Sequence, residues 1–427
     1  MQYHSSNGSR KNPFSRGVAT TTLALSLAAG VACNGLLDVT NPGVVKSSDL
    51  SAAALAPTLD AAALGTFECA FAQYVATAGV LSGEYEVSNS FVDANTWGWR
   101  GVDTKTYPGT CPASRATTSL GFYTPLQSAR FQAEDAAKRI TTFTDADVPN
   151  RAKMLAELTA YAGYSDLLLG EGMCQMTVDN GPLITRDSTF RIAVGKFTAA
   201  LALASTASYP AITNMSLVGR ARAELNLGLL PAAMADASAV PAGFVRVAEY
   251  SETTVARENR IYNLTVRNDY LSVGPNYRSL TVGGVADPRV PVLNTGRFGN
   301  DAVTPQWQQR KYIGSGAASI PLASWAEAQL IYAEAAGGQQ AKDAINRVRA
   351  ASGVAPLNGS EGSDIESIVL EERRRQLFSE GQRLGDMLRK NIPFPAGVNH
   401  KGQTYGPTTC APLPDIETQN NPNLRGS

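Results

Sequence analysis

The spacing of apolar and polar positions divides the chain into helical blocks separated by two long stretches that have no period. Residues 48–80 are rich in alanine and predict one or two helices opening at a Ser48-Asp49 cap. From Tyr123 a helical spacing returns, with Leu126, Ala129, Ala133 and Ala137 three or four residues apart on one face. A second run, over 151–169, carries Leu155, Leu158, Tyr161, Tyr164 and Leu168. Further pairs are predicted near 188–206 and 214–228, ahead of an alanine-rich stretch at 232–237, and at 321–337 and 339–352. Between the blocks, 85–120 and 241–320 collect Asn, Asp, Gly, Pro and aromatic residues without any helical repeat. Long irregular segments inside a domain tend to carry function.

Composition narrows the chemistry. The 427 residues are enough to bury a large core, and only 17% are charged, with 37 basic and 37 acidic side chains. Nothing in that balance favours nucleic acid, whose binders carry a basic stripe. The two histidines are His4 and His400, so no zinc site with two histidine ligands outside the N-terminal segment can be built. Neither a phosphate-cradling Gly loop with its Lys nor a calcium-loop pattern is present, and no cofactor or metal is expected.

The first 32 residues read as an export signal: Arg10, Lys11 and Arg16 precede an apolar run over 17–32. That run closes on Val31-Ala32-Cys33, which resembles a bacterial lipobox with Cys33 as the lipidated residue. Removing the leader leaves 34 basic against 37 acidic side chains, a charge of about −3. Four cysteines then remain, Cys69, Cys111, Cys174 and Cys410. An even count in an exported protein suggests two disulfides with three connectivities open, of which Cys69–Cys111 with Cys174–Cys410 is preferred. The organisation expected is a signal at 1–32, a lipidated tether at 33–47 and one domain over 48–427.

The most specific stretch is 369–389, Val-Leu-Glu-Glu-Arg-Arg-Arg-Gln-Leu-Phe-Ser-Glu-Gly-Gln-Arg-Leu-Gly-Asp-Met-Leu-Arg. Glu372, Arg373, Leu377, Glu380, Gly381, Arg383, Asp386 and Arg389 stand where the C-terminal signature of SusD/RagB-like outer-membrane nutrient-binding lipoproteins has its fixed residues. Gln376 and Leu384 depart from that pattern. The chain resembles this family in four further places: Leu36-Leu37-Asp38 ahead of Asn41-Pro42-Gly43, the helix pair after Tyr123, Asp287-Pro288-Arg289, and the tail from Pro412 to Leu424. In a continuous helix Glu380, Arg383 and Asp386 share a face. With Glu327, Glu372, Arg373 and Arg389 they are expected to form ion pairs that lock helices together rather than a catalytic carboxylate pair.

The resemblance implies a mostly α fold, in which a tetratricopeptide-like helical-repeat scaffold packs against an irregular lobe of loops and short helices. Helical-repeat pairs are expected near 122–172, 188–240 and 321–352, a loop-rich ligand lobe at 85–120 and 241–320, and the signature at 365–427. It further implies a surface-exposed, lipid-anchored protein of the outer membrane that is not an enzyme. Such a protein takes an oligosaccharide or oligopeptide and works with a SusC-like TonB-dependent transporter. Aromatic planes in the two irregular segments are the candidate ligand contacts: Trp97, Trp99 and Tyr107 in the first, Tyr270, Tyr277, Trp307 and Tyr312 in the second. Arg100, Asp93 and Asn95 would add polar contacts. Two other readings stand beside this one. One is an exported polysaccharide hydrolase using a pair such as Asp93 with Asp103. The other is a helical-repeat assembly module without a small ligand.

Overall fold

The computed structural model describes residues 52–424. The leader, Cys33, the tether and the Ser48-Asp49 cap lie outside the described residues. Helix α1 (Ala56–Leu81) opens with Pro57 in its first turn, where the missing N–H costs nothing. From Phe67 onward every residue of α1 is buried, so this helix is the axis of the core rather than a surface element. A short α2 (Val92–Gly98) follows, and then α3 (Tyr123–Thr141) and α4 (Arg151–Gly172). The next three are α5 (Arg186–Thr206), α6 (Pro210–Asn226) and α7 (Leu230–Ser238). Thr185 caps α5 by accepting from the Ser188 amide at 3.2 Å.

Successive helices fold back on one another and pack side by side, α3 on α4, α4 on α5 and α5 on α6. Small residues make this possible. A Cβ at Gly219 of α6 would overlap the Phe197 ring of α5, and one at Gly163 of α4 would meet the same ring at 3.0 Å. One buried phenylalanine therefore seats in a slot left by two glycines.

Beyond α7 the chain is irregular, with strands that pair only in twos among the described residues. Val245–Ala248 pairs with Ile320–Ser324, Val292–Phe298 with Pro305–Gln309, and Tyr85–Val87 with Leu271–Val273, all antiparallel. A helical turn at Arg260–Tyr262 runs into a π turn at Asn263–Arg267. Helices α8 (Trp325–Ala336), α9 (Gly338–Ala351), α10 (Ile365–Gln376), α11 (Arg383–Arg389) and α12 (Asp415–Asn420) complete the chain. The fold is mostly helical.

Cys69 is bonded to Cys111 and Cys174 to Cys410. The second bridge pins the C-terminal tail to the end of α4, where Cys174 N donates to Ala411 O at 2.9 Å and Ala411 N to Gly172 O at 2.8 Å.

The charged signature is structural. Arg373 is 2% exposed and grips both carboxylate oxygens of Asp386, at 2.9 and 2.8 Å, joining α10 to α11. Glu372 accepts from Arg289 and Arg349, both at 2.6 Å, so the Asp287-Pro288-Arg289 turn and α9 dock on the same side chain. Arg389 reaches Glu334 and Asp386, and Glu380 pairs with Lys311 at 2.6 Å. Glu327 lies 3.5 Å from Arg222, whose guanidinium also clasps Glu171. Arg383 departs from the expectation and makes no hydrogen bond or ion pair among the described residues. The helix is not continuous: α10 ends at Gln376, and positive φ at Ser379 and Gly381 redirects the chain before α11 begins. That turn separates Glu380 from the helix that carries Arg383 and Asp386.

Candidate ligand-binding surface

The pairing of Tyr85–Val87 with Leu271–Val273 sets Tyr85 opposite Val273 and Val87 opposite Leu271. That register brings the turn after Val87 against the turn before Leu271. Ser88 N donates to Tyr270 O at 2.9 Å, Ser88 Oγ to Asp269 O at 2.9 Å and Asn89 Nδ2 to Tyr270 O at 2.9 Å. A third loop joins them, with Asn300 N on Asp269 O and Asp301 N on Ser88 O, both at 3.1 Å. Three loops from distant parts of the sequence are thus tied by their backbones.

On this platform Phe91 is 40% exposed and stands edge-to-face on Tyr270, with ring centroids 5.4 Å apart at 79°. Phe298 and Val92 are also exposed on these loops, and Arg297 is held to Asp269 at 3.1 Å. Exposed rings on a hydrogen-bonded backbone frame present rigid apolar planes beside polar groups, the pairing that sugar rings require.

Next to the platform lies a cleft of about 140 Å³, walled by Tyr85–Val87, Asn95, His400, Lys401 and Tyr405. Lys401 Nζ bonds Asn89 O at 2.7 Å, Asn95 Oδ1 at 3.0 Å and Asp301 Oδ2 at 2.7 Å, joining cleft to platform. Burial works against ionising Asp301, but Lys401 and Thr304 outweigh it and hold the carboxyl at about 2. His400 Nε2 lies 2.8 Å from Thr304 Oγ1, and its Nδ1 lies 3.4 Å from Glu86. Glu86 is already paired with Arg278 at 2.7 Å. Among the described residues no group of three His, Cys, Asp or Glu side chains is placed to hold a metal.

The sequence-derived aromatics divide between surface and core. Trp97, Tyr277 and Tyr312 are 2–3% exposed and belong to the core. Trp97 packs on Phe122, Tyr277 stacks on Phe378 at 5.1 Å, and the Tyr312 hydroxyl donates to Ser379 O at 3.0 Å. As stacking surfaces these three are corrected, because their rings are packed in the core, while Tyr277 also lines a pocket described below. Arg100 is corrected as well. It is 6% exposed, donates to Pro395 O at 2.6 Å and Thr408 O at 3.3 Å, and sits over Phe394 and Tyr405. Its role is to clamp the tail. Trp99 and Trp307 are half-buried, the latter under Arg278, while Tyr107 is 48% exposed. Tyr270 alone of the eight joins the platform, and its partner Phe91 was not among them. Asn95 is buried, its amide holding the Asn89 and Phe91 carbonyls from inside. Asp93 accepts from Thr118 at 3.1 Å, and Asp103 closes its own turn with Lys105 and Thr106. Each carboxylate serves local structure.

Comparisons with known proteins place the fold. The SusD family model matches residues 238–425. Solved structures of the same fold cover most of the chain. A SusD-like carbohydrate-binding protein from Bacteroides vulgatus is 15% identical, with a TM-score of 0.62 over 88% of this chain and 97% of its own. The fold is SusD-like. Surface glycan-binding protein A from Bacteroides uniformis gives a TM-score of 0.65 at 13% identity, over 86% of this chain and 98% of its own. Surface glycan-binding protein A from Bacteroides thetaiotaomicron, solved with laminarihexaose, gives 0.63 at 13% identity over the same shares. Among curated proteins the sequence has no match. This chain shares its fold with those structures, and at such identity the likeness extends to the fold alone.

Proposed function

We propose that this SusD-like chain is a surface glycan-binding lipoprotein that captures oligosaccharides on the Phe91–Tyr270 platform and does not cleave them. The observation that carries the reading is that pair of rings, fixed edge-to-face at the surface on three cross-bonded loops. The carbohydrate ligand of a protein with the same fold supports the ligand class. Lipidation at Cys33 and association with a SusC-like TonB-dependent outer-membrane transporter complete the proposal. An anchor keeps the binder at high effective concentration beside its transporter, and a shallow open platform favours release as well as capture. Among the described residues no helix is long and apolar enough to cross a membrane.

The test is calorimetric titration of the mature chain with a panel of oligosaccharides, laminarihexaose first, alongside Phe91→Ala and Tyr270→Phe. Phe91→Ala is expected to weaken binding about tenfold or more, roughly 1.4 kcal/mol, without a change in melting temperature. Tyr270→Phe keeps the ring and should bind nearly as the parent. Unaltered affinity in Phe91→Ala would remove the platform from the account. Shortened oligosaccharide in the titration mixture would instead identify a hydrolase.

A further inference from the structure

A second pocket, of about 220 Å³, adjoins the cleft, and Asn276 and Pro395 line both. Arg374, Arg383 and Tyr277 are polar parts of its lining, and Met387 and Phe394 are apolar parts. The arginines of α10 and α11 are otherwise spoken for. Arg373 holds Asp386, Arg374 and Arg375 hold Glu371, and Arg389 holds Glu334. Arg383, half-buried, has no bonded partner among the described residues. The Tyr277 hydroxyl is buried without a hydrogen bond, and so is Glu84 Oε2. Two buried unmet polar atoms beside an unpaired guanidinium are unusual, since buried polar atoms are normally satisfied.

The charges at this point do not cancel. Arg374 is matched by Glu371 and also donates to Asn276 O at 2.6 Å while lying 4.9 Å over the Tyr277 ring. Glu84 is close enough to feel Arg383, but burial pushes its carboxyl up to about 7, so at neutral pH it offsets the guanidinium only in part. A guanidinium with free N–H groups beside an unpartnered hydroxyl in a polar pocket is suited to a planar or tetrahedral oxyanion.

We infer that this pocket is an anion subsite. It takes a carboxylate or sulfate substituent of an acidic glycan lying in the adjoining cleft, with Arg383 as the main contact and Arg374 and the Tyr277 hydroxyl beside it. This rests on the glycan-binding reading and adds a class of ligand to it: acidic rather than neutral saccharides.

The experiment uses paired oligosaccharides at physiological salt, titrated into the mature chain and into Arg383→Gln, Arg383→Lys and Phe91→Ala. One pair is an oligogalacturonate and its methyl ester, the other a sulfated oligosaccharide and its desulfated form, which separates the two sources of charge. The expected result is that at least one acidic member binds tenfold or more tighter than its neutral partner. Arg383→Gln abolishes that preference, and Arg383→Lys retains part of it. Equal binding of charged and neutral members by the parent overturns the inference, as does a preference that survives in Arg383→Gln. If neutral saccharides bind through Phe91 but acidic ones bind no better, only the anion subsite falls. If no saccharide binds at all, both the subsite and the platform fall.

Discussion

Replacing Arg373 with methionine is expected to destabilise the fold by about 3–5 kcal/mol, because it leaves buried acid without its counter-ion. The guanidinium is 2% exposed, bonds both oxygens of Asp386 and the Gln382 amide oxygen, and lies 3.7 Å from Glu334. Methionine restores the bulk of the side chain but none of the five donors. Neighbouring Arg374 provides the contrast, since its Glu371 partner is 39% exposed and water can replace the pair. Arg374→Met should cost about 1 kcal/mol or less. Urea unfolding at neutral pH measures both, and a loss below about 1 kcal/mol in Arg373→Met would show that Arg389 alone satisfies Asp386.

Acid adds a second readout to the same variant. Burial opposes ionisation of Asp386, yet Arg373 and Arg389 hold it at about 2 in the folded chain, against about 3.9 when unfolded. A depressed carboxyl stabilises the fold at pH above its unfolded value, and that contribution fades as pH falls from about 4 towards 2. Arg373→Met should therefore flatten the stability profile across that window.

Removing the Cys174–Cys410 bridge by paired alanine substitution should cost about 2–5 kcal/mol. The bridge spans 236 residues and the Cys69–Cys111 bridge 42. Loop-closure entropy grows only with the logarithm of length, so the longer loop adds about 1.5 kcal/mol over the shorter. The local consequence should be larger than that difference suggests. Beyond Cys410 the tail is held by the backbone pairs of Ala411 and by scattered bonds, Asp415 N to Thr104 O at 2.7 Å, Thr177 to Glu417 at 3.0 Å and Asn421 to Gly181 O at 2.8 Å. Limited proteolysis should cut the tail after 410 in the double variant well before the helical hairpins open. Cleavage at the parent rate would mean that those bonds suffice without the disulfide.

Much of the scaffold was legible because its signals are local. Apolar spacing marks helices that stand at Arg151–Gly172, Arg186–Thr206 and Pro210–Asn226. Helix α2 was not legible. Seven residues are too few for a period, and what fixes them is tertiary: the Asn95 amide on Asn89 and Phe91, and Lys401 from 306 residues away. The candidate site suffered for the same reason. Tryptophans and tyrosines were favoured as ligand contacts by type, but Trp97, Tyr277 and Tyr312 fill the core, while Phe91 and Phe298 emerge. No period in an irregular segment tells an inward ring from an outward one. The weak signal for Phe91 was its setting, a lone aromatic after Ser88-Asn89-Ser90. Arg383 shows the converse, a residue whose spacing promised a partner, while Asp386 is taken by Arg373 and Arg389 instead.

The measurement that bears most directly on the central claim is amide hydrogen exchange of the mature chain with and without a saturating oligosaccharide. Exchange reports local opening, so a ligand slows it where it binds. The account predicts slowed exchange confined to 85–95, 268–276, 297–301 and 395–405, with α4 to α7 unchanged. Protection concentrated on those helices, with the loops exchanging as before, would contradict it.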